Sequence, residues 1–177
     1  MVGQALRWPK LESEHRRWVL YNAIIGTAVV NAVINAVLAW VTVRGQHSVP
    51  VWSAPLVGDP STVVDTVATL FFLPLFTTVF CTASVRRRLQ SGSLEPLARP
   101  HLGLLSRLDG GRLRRGLVLG GLCTAVLAPI TIAVLLGVDF DGVSRSEFIT
   151  FKVAFAVALG ALVTPLIAVR AMAEALD

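Results

Sequence analysis

Four long apolar runs constrain this chain more than anything else in it: Trp18 to Val43, Pro60 to Val85, Leu113 to Gly137 and Glu147 to Val169. At about 1.5 Å of rise per residue, a helix of each run is long enough to cross the roughly 30 Å hydrocarbon core of a bilayer. Water is absent there, so each backbone N–H and C=O must find its partner inside the segment, and helices meet that demand. The expected fold is therefore all-α, an integral membrane bundle of four transmembrane helices forming a single domain over 1–177. Composition agrees: 54% of residues are hydrophobic and 15% charged, against about 45–50% and 25% in soluble domains. Mean hydropathy is +0.70.

The net charge of +5 becomes informative once each charge is located. Of 16 Lys and Arg, four precede the first run (Arg7, Lys10, Arg16, Arg17) and eight lie between the second and third (Arg86, Arg87, Arg88, Arg99, Arg107, Arg112, Arg114, Arg115), with Arg170 after the fourth. The other two loops hold only Arg44 and Arg145, beside Asp59, Asp139, Asp141 and Glu147. That asymmetry is the positive-inside pattern, and it predicts both termini and the central loop in the cytoplasm. It accounts for the basicity without nucleic acid, for which no aromatic-and-basic recognition motif is present.

The first run exceeds the 7–15 residues of a signal-peptide core, and Glu12 and Glu14 fall where such a leader would be basic, so it is read as retained. Arginine outnumbers lysine fourteen to two, and Ala and Val fill the helices. This composition is that of a GC-rich bacterium, whose plasma membrane is the expected location.

Helix boundaries are signalled independently of hydropathy. Asp59 before Pro60 predicts an N-cap and a first helical proline, and "SRSE" predicts a capping box from Ser144 to Glu147 that starts the fourth helix near Arg145. Trp18, Tyr21 and Trp40 sit where interfacial aromatic anchors belong. The first outer loop carries Trp52 and several prolines, and reads either as a cap over the helix ends or as an irregular loop with Trp52 among headgroups. The central loop, 86–112, alternates Leu with Arg. It should lie on an anionic inner leaflet, with Arg86, Arg87, Arg88, Arg112, Arg114 and Arg115 as headgroup contacts at about 1 kcal/mol each.

Lipid tails are as apolar as leucine, so membrane helices associate through close backbone approach and interhelical hydrogen bonds. Small residues recur every four positions: Ala28, Ala32, Ala36 on the first helix, Gly116, Gly120, Thr124, Ala128 on the third, and Ala156, Gly160, Thr164, Ala168 on the fourth. They predict a compact bundle, kinked at Pro74 and Pro129. "FFLPLF" at Pro74 and "LVTPLI" at Pro165 resemble each other, but Pro74 lies fourteen residues after Pro60 and Pro165 twenty after Arg145, which argues against a true repeat.

Four polar residues within the apolar runs are the candidate site. Asn31 and Asn35 fall on one helical stripe with Thr27, on the flank of the alanine stripe. They are either interhelical glue, at about 0.6 kcal/mol per hydrogen bond, or the lining of a polar pocket. Asp65 and Lys152 each lie in the second turn from the outer end of their helices, and their matched depth allows an ion pair beside Asn35. Intramembrane ionisable groups are functional candidates. Against this, a helix N-terminus stabilises a carboxylate, and a lysine can reach outward to headgroups.

Other chemistries lack their residues. A disulfide-handling membrane enzyme requires Cys-x-x-Cys, whereas Cys81 and Cys123 stand alone as small hydrophobes. Small multidrug exporters carry a carboxylate in the first helix, where Asn31 stands here, and tetraspanin-like or claudin-like chains pair cysteines in an outer loop. His15, His47 and His101 share no metal-ligand spacing. No enzyme activity and no cofactor is expected. Two functions remain open: a small, oligomeric transport or permeation module, or a non-transporting subunit or scaffold that binds lipids or a partner protein.

Overall fold

In the computed structural model the described residues are 13–53, 60–97, 110–137 and 142–173. Helix α1 (Ser13–Trp18) runs into a π-helical segment (Val19–Ile25) and then α2 (Gly26–Val43). Strand β1 (Ser48–Pro50), α3 (Thr62–Gln90), α4 (Arg112–Gly137), β2 (Gly142–Ser144) and α5 (Arg145–Met172) complete the order. Four helical spans, Val19–Val43, α3, α4 and α5, are each long and apolar enough to cross a membrane, at 25, 29, 26 and 28 residues.

Packing follows the small residues. A Cβ on Gly120 would lie 2.5 Å from the Phe71 carbonyl oxygen, and one on Gly116 2.7 Å from Leu75 Cδ1. Side chains at these positions would force α4 away from α3. On α5 the stripe Ala156, Gly160, Thr164, Ala168 is buried throughout. Helix α5 is the hub: it packs against both α2 and α3, while α3 also carries α4. The central core joins Leu70 and Leu73 of α3 to Leu159, Val163 and Ile167 of α5 and Ala128 of α4.

The four helices form a bundle, as the stripes predict, but not every neighbouring pair is packed together. Helices α2 and α3 are adjacent in sequence yet are not packed extensively on each other. Helix α2 packs instead on α5, where Asn31 lies against Gly160, and a cleft opens between α2 and α3.

Both ends of the cleft are bridged. At one end β1 pairs antiparallel with β2, Val49 opposite Val143, so the loops after the first and third spans form a two-stranded clasp. Gly142 permits this approach, because a Cβ there would lie 2.7 Å from Ser48 Oγ. Val49 is buried with Ala39, Val43 and Phe148 beneath the clasp. Arg44 and Arg145, the two arginines of those loops, flank Trp40 with guanidinium carbons 6.0 and 5.8 Å from its ring centroid. Trp52 is exposed, and 54–59 lie outside the described residues.

At the other end Trp18, Val19 and Ala23 pack with Val85, Leu89, Leu94, Ala171 and Met172. Leu97 N–H donates to the Met172 carbonyl at 2.9 Å, and His15 Nε2 meets the Glu95 carbonyl at 2.8 Å. The π winding turns Trp18, Val19 and Ala23 inward while Leu20, Tyr21 and Ile25 face out. Trp18 is therefore not an interfacial anchor: it is buried, with Arg88 over its ring at 5.8 Å. Tyr21 and Trp40 are exposed, as an anchor requires. Leu94 of the central loop is buried in the same cluster.

The Ser144–Glu147 capping box is present, with Ser144 N–H donating to Glu147 Oε2 at 2.8 Å. The expected cap of α3 is displaced. Asp59 lies outside the described residues, α3 begins at Thr62, and the Ser61 side chain accepts from Val64 N–H. Pro60 precedes the helix instead of opening it. Pro74, Pro129 and Pro165 all fall within their helices.

Candidate functional site

The cleft between α2 and α3 is a groove of about 740 Å³, within the 300–1,000 Å³ range typical of small-molecule sites. Asn31, Asn35, Asp65 and Lys152 all line it. They arrive from three helices: the asparagine stripe of α2 forms one wall, Asp65 opens the opposite wall on α3, and Lys152 reaches in from α5. The sequence made each residue a candidate, and the tertiary structure brings all four to one place.

Lys152 Nζ donates to Asp65 Oδ1, an ion pair across 87 positions of sequence. Neither group turns out to the surface: the Lys152 side chain is 7% exposed and that of Asp65 16%. Lys152 thus does not snorkel. It sits on the α5 face that also carries Ala156 and Gly160, and that face points into the protein. The pair is held on firm supports, since Thr69 Oγ1 donates to the Asp65 carbonyl at 2.8 Å and Ser61 caps the helix one turn before it.

The two asparagines part company. Asn35 is buried, and its Nδ2 donates to the Asn31 carbonyl at 2.9 Å within the same helix. Asn31 Nδ2 instead rests against the bare face of Gly160, where an added Cβ would strike it, and it is buried without a hydrogen-bond partner. Gly160 is thus a socket for an amide as well as a packing residue.

Most of the groove is apolar. Phe72, Phe76 and Phe80 form a column at four-residue spacing on α3, with neighbouring centroids 6.0 and 6.5 Å apart. Val30, Ile34 and Leu38 face them from α2. All six are about half exposed or more, so the groove opens sideways along its length. This column is not among the candidates read from the sequence, although its regular spacing on a helix is a readable signal. Cys81 also lines the groove, and both cysteines are free and pack against the central core.

The six arginines named for headgroups divide. Arg86, Arg87, Arg88, Arg112 and Arg114 are exposed at one end of the fold. Arg115 is buried, and its Nε donates to the Gly110 carbonyl at 2.9 Å. It stands beside Gly116, whose missing side chain draws this turn of α4 onto α3. Residues 98–109 of the basic loop lie outside the described residues.

Fold and site together define an all-α chain of four candidate membrane spans with a sideways-opening groove that ends at an ion pair. Compared with known protein families, with curated proteins and with solved structures, the chain matches none.

Proposed function

We propose that the chain is a small multi-pass plasma-membrane protein, both termini cytoplasmic, acting as a transport or permeation module. Its solute would enter the groove between α2 and α3 from within the bilayer. The observation that carries this reading is the convergence of Asn31, Asn35, Asp65 and Lys152 on one cavity. Buried polar groups at membrane depth are expensive and mark solute pathways. Phe, Val, Ile and Leu dominate the rest of the lining, which disfavours a bare ion, so the solute is apolar or amphipathic. The distribution of arginine supports the orientation, which puts the Asp65–Lys152 end outward and the exposed arginines on the anionic inner leaflet.

A non-transporting subunit is the second reading, favoured by the way Asp65 and Lys152 satisfy each other and Asn35 is used within its own helix. In that case the polar groups lock the bundle, and the half-exposed faces of α2 and α4 meet lipid, a second copy or a partner. No catalysis, cofactor or nucleic acid enters either reading.

Native mass spectrometry of the full chain, released gently from membranes, separates the two. A retained small amphiphile that is lost in Ala68→Trp, which fills the groove, supports the first. A stoichiometric protein partner with an empty groove would sink it.

A further inference from the structure

The groove is long. Its lining on α3 runs from Asp65 to Ser84, about 28 Å at 1.5 Å per residue and on the order of the hydrocarbon thickness. It opens sideways along that length, and a hydrocarbon chain lying parallel to the helices can occupy it.

The two ends differ in chemistry. From Phe72 to Phe80 the α3 wall is aromatic and aliphatic apart from Thr77. At the Asp65 end the walls carry an ammonium and a carboxylate that sum to zero charge. Lys152 has three donors, of which Asp65 takes one, while Asp65 offers acceptor capacity of its own. Asn35 and Thr69 line the same groove, and among the described residues no other charged side chain does. A head that both donates and accepts, or that carries one charge of each sign, can join this pair without separating it. A head of net charge leaves one buried charge in excess, the arrangement a low-dielectric site penalises most.

We infer that the occupant is a single-chain amphiphile whose head has no net charge, the head lying against Asp65 and Lys152 and the chain along the Phe72–Phe76–Phe80 column. This rests on the proposed reading of the groove as a binding site and adds the identity of what it selects.

The test titrates the full chain in detergent with four amphiphiles of one chain length: a monoacylglycerol, a lysophosphatidylcholine, a lysophosphatidylglycerol and an alkyltrimethylammonium. Complexes are counted by native mass spectrometry. The uncharged and zwitterionic heads should bind at least tenfold tighter than either charged one. Asp65→Asn leaves Lys152 in excess and should turn the preference to the anionic head; Lys152→Met should turn it to the cationic head. The double variant Asp65→Asn/Lys152→Met, with no charge to strand, keeps the protein folded and should lose discrimination. Ala68→Trp should abolish binding of all four.

Binding that is equal for all heads yet lost in Ala68→Trp overturns the head assignment and leaves the groove reading standing. Binding absent, or indifferent to Ala68→Trp, overturns both. So does efficient cross-linking of Phe76→Cys between two copies in a chain lacking Cys81 and Cys123, since the groove would then be a subunit contact.

Discussion

Lys152 on α5 and Asp65 on α3 form the only ion pair between the described side chains of different spans, joining two helices that both start at the clasped end of the fold. The pair determines the character of the groove mouth, and its energetics are asymmetric. Coulombic attraction in a low-dielectric interior roughly offsets the desolvation of both groups, but removing one partner leaves the other buried and uncompensated.

Asp65→Asn and Lys152→Met should therefore each destabilise the detergent-solubilised protein by about 3–5 kcal/mol. The double variant should lie close to wild type. Thermal unfolding of the three variants checks this, and additive losses in the double variant would contradict it.

Gly120→Val should separate α4 from α3, because its Cβ alone would meet the Phe71 carbonyl at 2.5 Å, and backbone cannot swing aside as a side chain can. A loss of about 1–3 kcal/mol or more is expected. Gly121 has nothing within 4 Å of the same added atom. Gly121→Ala should change stability by no more than about 0.5 kcal/mol. A comparison of unfolding temperatures decides whether the stripe or its neighbour carries the contact.

Gly160→Ala should strike the Asn31 amide instead of backbone, so the damage should be repairable. We expect Asn31→Ala to rescue much of it, with a coupling of about 0.5–3 kcal/mol in a double-mutant cycle. Independent, additive effects would mean that Asn31 does not occupy the Gly160 socket.

Ser144→Ala removes the side-chain half of the capping box at the start of α5, in which Ser144 Oγ accepts from Glu147 N–H, and leaves the backbone N–H of residue 144 to donate to Glu147. Loss of such a cap typically lowers the unfolding temperature of a chain this size by about 2–4 °C. Gly142→Val, two residues earlier, should do more, since its side chain would also push β1 off β2. Proteolysis of the loops after the first and third spans should then accelerate, which the capping variant alone would not cause.

Each span was legible from its own residues, because length and apolarity in lipid are local demands that a helix meets within the segment. The boundary at Ser144 was local too, a side chain reaching three residues along its own backbone. So were the candidate residues: an asparagine, an aspartate or a lysine inside an apolar run is conspicuous wherever the run ends up. What the letters did not contain was the choice of neighbours. Several small-residue stripes could each have met any other, and only the packing of α5 against both α2 and α3 decided that α2 and α3 would stand apart. That choice opened a groove and carried Lys152 across to Asp65. It also buried Trp18, against Val85, Leu89 and Met172 from distant parts of the chain. Local hydrogen bonding and hydropathy are written residue by residue, whereas a cleft exists only between helices, from the fit of one surface to another.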